Sequence, residues 1–165
     1  MTCLLWAASA LAKVYVPEAG SPTAAALYAG SAERRSVTTF VGYAEAISVL
    51  LRKRHRGEIS QQALAHGISA LRNDVLESPN FDIATVSETD FARATVHVLR
   101  HHLNASDAVV LLVFLRYARA MAVDGATSIL VASDHRLLRA ARQEGLGTLD
   151  PETVAPHNIA SLLSP

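Results

Sequence analysis

The feature that most constrains the fold is a series of short strand-like runs that alternate with longer helical segments. The first run, from Thr2 to Trp6, is continuously apolar, which is typical of a parallel strand buried on both faces. Four further runs are found at 35–39, 81–86, 129–132 and 147–149. Strands that alternate with helices predict an α/β protein, a three-layer α/β/α sandwich with a central parallel sheet.

The segments between these runs carry the start and stop signals of helices. Helices are predicted over 9–16, 23–29, 40–54, 60–76, 87–101, 104–124 and 134–144. Pro22 suits the first turn of the second helix, and Ser60 can cap the fourth. In the third helix, one face is expected to be buried because its members recur at helical spacing: Phe40, Ala44, Ile47, Ser48 and Leu51.

Length and composition narrow the class of protein. A chain of 165 residues suits one domain, expected here over 1–150 with a C-terminal tail over 151–165. Fifteen basic residues balance 15 acidic ones, which excludes a strongly basic nucleic-acid wrapper but allows a local basic patch. The single cysteine, Cys3, fits a reducing cytoplasm, and no apolar stretch approaches the roughly 20 residues that span a bilayer.

Several common chemistries are absent from the sequence. It contains no GxGxxG, GK[ST], GxSxG or HExxH motif, which argues against the usual nucleotide cradles, the hydrolase elbow and the zincin helix. His101 and His102 are adjacent and therefore point in different directions on a helix. The other five show no evident ligand pair, and all seven histidines are interpreted as ordinary surface or interface residues. The five are His55, His66, His97, His135 and His157.

Three carboxylates occupy more informative positions. Asp134 follows a predicted strand, and Asp107 begins a very apolar helix, although each also fits an ordinary helix start. Glu45 lies within a helix at the edge of its apolar face and has no basic partner three or four residues later. Ligand sites of parallel sheets lie off the carboxyl ends of the strands. Acids that converge there repel one another, and Mg²⁺ or Mn²⁺ is the natural compensation for an oxygen-only cluster.

The residues around these acids resemble the PIN-domain ribonucleases, specifically the VapC-like toxins of bacterial toxin–antitoxin pairs. The resemblance covers nearly the whole chain, and its motifs occur in the family's order at 5–18, 43–46, 104–108 and 133–141, followed by 144–146 and 150–152. It implies a PIN-like fold and a metal-dependent endoribonuclease that dimerises and is inhibited by a VapB-like antitoxin.

The resemblance also implies roles for individual residues. Asp107 and Asp134 are expected to hold Mg²⁺ or Mn²⁺, and Glu45 is either a further ligand or a base that orients water. Ser9 and Ser133 are expected to form hydrogen bonds to a ligand carboxylate or to the phosphate, or else to cap helices.

The sequence departs from the family pattern at one position. The first motif normally has an aspartate where this chain has Ala7. Either an engineered substitution or natural decay explains the alanine, and in both cases a site with three carboxylates rather than four is expected to be nearly inactive. The alternative function is a catalytically decayed PIN domain that binds an antitoxin or RNA without cutting.

Contact with RNA must come from local positive charge. The densest basic run, 52–56, includes Arg52 and Arg54 and ends the helix that carries Glu45. These cations also suit a solvated helix C-terminus, where they offset the helix dipole. Arg136 and Arg139, which follow Asp134, are alternative phosphate contacts closer to the acids.

Overall fold

The computed structural model describes residues 1–30 and 35–159 and has a five-stranded parallel sheet at its centre. The strands are β1 (Thr2–Trp6), β2 (Arg35–Thr39), β3 (Phe81–Ala84), β4 (Thr127–Val131) and β5 (Gly147–Leu149). Their order across the sheet is β3-β2-β1-β4-β5, so β1 is central and Leu5 pairs with Val37 on one side and Leu130 on the other. The predicted parallel sheet is confirmed.

Helices fill the segments between the strands, close to the predicted bounds. They are α1 (Ala8–Leu11), α2 (Ser21–Ala29), α3 (Phe40–His55), α4 (Gln61–Arg72), α5 (Glu88–His101), α6 (Ala105–Val123) and α7 (His135–Gln143). The first predicted helix is shorter than expected, because α1 tightens into a 3₁₀ turn over Ala12–Val14. The fourth continues from α4 into a π-helical turn over Asn73–Glu77, and a second 3₁₀ turn covers Pro156–Asn158.

The helices cover both faces of the sheet, which confirms the three-layer α/β/α sandwich. Leu4 and Trp6 of β1 pack with α1 to α4 on one face, whereas Cys3 and Leu5 pack with α5 to α7 on the other. Trp6 is fully buried, and its indole Nε1 donates to the Ser36 hydroxyl at 3.1 Å, so the core satisfies its polar atom.

The predicted buried face of α3 is wrong. Its buried residues are Gly42, Ala46 and Leu50, while Phe40 is 62% exposed. The helix starts directly after β2, and a Cβ at position 42 would lie 2.8 Å from the Thr38 hydroxyl. This close approach of the backbone determines which face of α3 meets the sheet. The spacing of apolar residues along α3 does not indicate such a contact.

The chain after β5 packs back onto the domain. The Thr23 hydroxyl of α2 donates to the Val154 carbonyl at 2.6 Å, and Ile159 is buried in the same core cluster as α2. Residues 151–159 of the predicted tail therefore lie against the sandwich, and the remainder of that tail falls outside the described residues. Within the described part of the chain, no helix combines the length and apolar character needed to cross a membrane.

Candidate functional site

A cleft of about 190 Å³ opens at the carboxyl edge of the sheet. Its lining includes the three predicted carboxylates, Ala7 and other polar residues: Ser9, Glu45, Arg52, Asn104, Asp107 and Asp134. The structure therefore brings together residues that are up to 127 positions apart in the sequence, as the carboxyl-edge argument predicts.

Each carboxylate is positioned by the start or the body of a helix. Asp134 precedes α7, and its Oδ1 accepts hydrogen bonds from the amides of Arg136 (2.8 Å) and Leu137 (3.1 Å). Asp107 lies in the first turn of α6, and Glu45 lies on α3, which follows β2 directly. Asp134 is thus both a helix cap and a cleft residue, because the cap uses only Oδ1 and leaves Oδ2 for a ligand.

The charges of the three carboxylates interact strongly. The pKa of Asp107 is raised to about 6, first by burial and then by the negative charges of Asp134 and Glu45. Arg136 and a hydrogen bond from Asn104 oppose this rise in the pKa without cancelling it. The cleft therefore concentrates negative charge that the surrounding residues leave uncompensated.

Two supporting residues were missed by sequence reasoning. Asn104 caps α6 by accepting from the Asp107 amide at 2.7 Å, and its Nδ2 donates to Asp107 Oδ2 at 2.7 Å. The Ser106 hydroxyl donates to Glu45 Oε1 and so links α6 to α3. Asn104 could have been found from the sequence as a helix cap, because a residue that begins a helix at the carboxyl edge lies beside the ligand site.

The two serines of the predicted support act differently from one another. Ser9 lines the cleft, and its Oγ accepts from the Ser133 amide at 3.0 Å. The Ser133 hydroxyl donates to Asp150 Oδ1 at 2.9 Å, and Asp150 is a buried acid. Both bonds hold the loop between β4 and α7, and they therefore help to position Asp134.

The predicted RNA-binding arginines are divided between the cleft and its surroundings. Arg52 lines the cleft, and Arg136 is exposed yet close enough to lower the pKa of Asp107. Arg54 is not among the lining residues, although it belongs to the same basic run. The neighbouring Lys53 is paired with Glu18 (2.8 Å) and Glu58 (3.2 Å), so its charge stabilises the fold around α3.

The donor set of the cleft fits a hard divalent cation. Glu45, Asp107 and Asp134 offer carboxylate oxygens, and Asn104 is beside them. Oxygen ligands of this kind suit Mg²⁺ or Mn²⁺ better than softer metals. Ala7 follows β1 at the centre of the sheet, is 4% exposed and contributes only a methyl group, so this position adds no charge to the cleft.

A second group of ligand-type side chains lies at the other end of α7, and it corrects the interpretation of the histidines. His97 and His101 are one helical turn apart on α5, with ring centroids 5.7 Å apart in a stacked arrangement. Glu144 Oε1 lies 2.7 Å from His101 Nε2 and 3.7 Å from His97 Nδ1. The spacing of four residues on a predicted helix was the signal for this pair.

Comparisons with known proteins bear on the fold alone. No protein-family model matches the chain, and no curated protein is detectably similar. A solved structure, the crystal structure of PAE2754 from Pyrobaculum aerophilum, is similar with a TM-score of 0.58 over 97% of this chain and 96% of that one. The two sequences are 18% identical, so the similarity establishes that both chains share the α/β/α architecture.

Proposed function

We propose that this chain is a PIN-type, VapC-like endoribonuclease whose metal site is impaired at position 7. The observation that carries the proposal is the convergence of Glu45, Asp107 and Asp134 with Ala7 in one cleft at the carboxyl edge of a parallel sheet. Burial, together with the negative charges of Asp134 and Glu45, raises the pKa of Asp107 to about 6, and a divalent cation would offset that negative charge.

Glu45, Asp107 and Asp134 would hold Mg²⁺ or Mn²⁺ through their oxygens. When bound, the ion supplies positive charge against the phosphate and lowers the pKa of water. Asn104 holds the Asp107 carboxylate through its Nδ2, and Ser106 holds Glu45 through its hydroxyl. Both ligands are thereby fixed before RNA binds, which limits the reorganisation needed for reaction.

The chain's own residues also account for substrate binding and proton transfer. Glu45 is only partly buried, so it can orient a water molecule or accept its proton. Arg52 lines the cleft, and the exposed Arg136 is close enough to lower the pKa of Asp107, so each can contact a backbone phosphate. The positive charge is local, which reconciles RNA binding with a net charge of zero.

Ala7 explains why activity should be low. Loss of a group that merely supports a metal ligand commonly weakens binding by 10–100-fold, and loss of a carboxylate ligand should cost at least as much. The backbone at position 7 is well held, since the Ala7 amide donates to the Val131 carbonyl at 3.0 Å. An aspartate at this position would therefore begin α1 and place its carboxylate at the cleft.

The second candidate function is a binding module, and Ala7 is again the observation that favours it. A domain that keeps three acids and their supporting hydrogen bonds but lacks the fourth acid could still bind RNA or a VapB-like antitoxin. In either case we place the protein in the cytoplasm, with RNA, an antitoxin and a second copy of the chain as its partners.

Cleavage of a mixed RNA pool tests the proposal. The chain is compared with Ala7→Asp, and Ala7→Asn serves as a matched control because it has nearly the same size without the charge. Each protein is assayed with Mg²⁺, with Mn²⁺ and with EDTA. Cleavage by Ala7→Asp alone, abolished by EDTA, is the expected result.

The other outcomes count against the nuclease. Cleavage by the chain or by Ala7→Asn at the rate of Ala7→Asp would show that the fourth carboxylate is unnecessary. Absence of cleavage by Ala7→Asp, together with high affinity for an antitoxin, would favour the binding module.

A further inference from the structure

We propose that His97, His101 and Glu144 form a zinc site that is separate from the acidic cleft. The inference does not depend on the proposed nuclease function. Asp134 and Glu144 flank the two ends of α7, so the sites are roughly 15 Å apart along the helix axis. Glu144 follows α7 and precedes β5, which places this carboxylate near the amino edge of the sheet.

The ligand atoms are already close to the spacing that zinc requires. One donor atom from each of the three residues lies within 4.8 Å of the others. Zn–N distances of about 2.0–2.1 Å and Zn–O distances of about 2.0–2.2 Å imply tetrahedral ligand atoms about 3.3 Å apart. The observed separations from Glu144 Oε1, 2.7 Å to His101 Nε2 and 3.7 Å to His97 Nδ1, lie on either side of this value.

The hydrogen bonds of His101 favour metal binding through Nε2. Its Nδ1 lies 3.0 Å from Gln143 Oε1, an acceptor that holds the ring proton on Nδ1. The Nε2 lone pair of the neutral ring then faces the Glu144 carboxylate at 2.7 Å, and two acceptors at that distance need a proton or a cation between them. An acceptor behind the distal nitrogen is also the usual support of a metal-bound histidine.

His97 provides the independent sign of a missing partner. Its side chain is 7% exposed, and its Nδ1 is a buried nitrogen without a hydrogen-bond partner. Such an atom is uncommon in folded proteins because burial without a partner is costly. The nitrogen lies near Glu144 Oε1 but too far away for a hydrogen bond, and a shared cation would satisfy both.

The positive charge beside Glu144 does not prevent an ion from binding there. Arg100 Nη1 lies 3.1 Å from Glu144 Oε1, but its side chain is 61% exposed and can turn into solvent. Glu144 also borders a cleft of about 400 Å³ between α6 and β5, which gives an ion a route from solvent. Two imidazoles and one carboxylate leave one tetrahedral position for water, and nitrogen ligands favour Zn²⁺ over Mg²⁺.

Isothermal titration calorimetry with ZnCl₂ tests the site on the full chain, with any polyhistidine tag removed. The variants are His97→Gln and His101→Gln, and His66→Gln is the control because His66 is exposed on α4. We expect one zinc ion per chain, no competition from Mg²⁺, and at least a tenfold loss of affinity in both variants but not in the control. Circular dichroism establishes that each variant is folded.

A second measurement on the unaltered chain guards against misfolded variants. Zinc should shift the imidazole NMR signals of His97 and His101 and leave that of His66 unchanged. Absence of zinc binding to the full chain would overturn the proposal, as would equal affinity in folded His97→Gln and His101→Gln. Loss of zinc binding in Asp107→Asn, with both histidine variants unaffected, would assign the ion to the acidic cleft and also overturn it.

Discussion

The two ends of α7 carry carboxylates in opposite electrostatic states. At the start of the helix, the negative charge of Asp134 adds to the effect of burial and raises the pKa of Asp107 to about 6. At its end, hydrogen bonds from His101 and then Arg100 hold the pKa of Glu144 below its usual value. The first cluster offers only oxygen ligands, whereas in the second two imidazoles and Arg100 lie against a single carboxylate, Glu144.

The position of each cluster in the sandwich explains this difference. Helices that follow parallel strands start at the carboxyl edge of the sheet, where short polar side chains cap them and gather around the ligand cleft. A helix that leads into the next strand, as α7 leads into β5, ends at the amino edge, and Glu144 lies there. Arg100 and His101, in the last turn of α5, meet this carboxylate.

The largest expected effect is the loss of RNA cleavage when an acid of the cleft, but not an exposed residue elsewhere, is replaced. In the Ala7→Asp background, we expect Glu45→Gln, Asp107→Asn and Asp134→Asn each to reduce RNA cleavage at least 100-fold, because each removes a ligand charge. Single-turnover cleavage rates measure this effect. His66→Gln is the control, and restored cleavage that survives all three substitutions would place the reaction elsewhere.

A smaller effect concerns the stability of the cleft. The folded pKa of Asp107, about 6, exceeds its ordinary value of 3.8, so its contribution to stability is present at low pH and is lost as the pH rises through 6. Asp107→Asn should therefore stabilise the protein at pH 7 by about 1–3 kcal/mol and have little effect at pH 3.5. Urea unfolding at both pH values measures the change in stability. A loss of stability in Asp107→Asn at pH 7 would contradict the raised pKa of Asp107.

At the other end of α7, we expect the change in stability on replacing the acid to have the opposite sign. Because the folded pKa of Glu144 lies below its ordinary value of 4.5, its contribution is present above that pH and is lost as the pH falls through the folded value. Glu144→Gln should destabilise the protein at pH 7 by about 1–2 kcal/mol. The same urea experiment, carried out without zinc, measures this loss of stability. A control should replace a glutamate that has no buried partner, which rules out Glu152 because it pairs with the buried Lys13. The exposed Glu88 provides the matched control as Glu88→Gln.

The smallest effect concerns the arginines. If Arg52 and Arg136 contact phosphates, replacement of either by Gln should reduce the salt dependence of RNA binding by about 0.7 in the log–log slope. Fluorescence anisotropy with the unaltered chain in the presence of EDTA measures the slope. Arg72→Gln, on α4, is the control. An unchanged slope in both variants would show that these arginines are solvated and do not contact phosphates.

Most of the fold could be predicted because parallel strands and amphipathic helices have short-range signatures. The apolar run Thr2–Trp6 and the cap at Ser60 are visible without knowledge of the rest of the chain. The face of α3 could not be predicted, because it depends on the approach of Gly42 to Thr38 across the β2–α3 junction. Such a contact depends on how the helix is seated and leaves no periodic pattern.

The site could be predicted only in part for the same reason. The positions of Asp107 and Asp134 after or beside strand ends indicated a common edge, and the structure brings them together with Glu45. The bond from Ser106 to Glu45 and the meeting of α5 with Glu144 depend on packing between distant elements. Sequence spacing within one helix cannot indicate the partner that another helix supplies.

Binding of Mn²⁺ tests the central claim most directly, because it examines the acidic cleft without requiring the RNA target. Electron paramagnetic resonance titrations compare the chain, Ala7→Asp and Ala7→Asn at pH 7. A cation site built from Glu45, Asp107, Asp134 and position 7 predicts at least tenfold tighter binding by Ala7→Asp than by the other two proteins. Equal affinity in Ala7→Asp and Ala7→Asn would contradict the claim that position 7 belongs to the metal site.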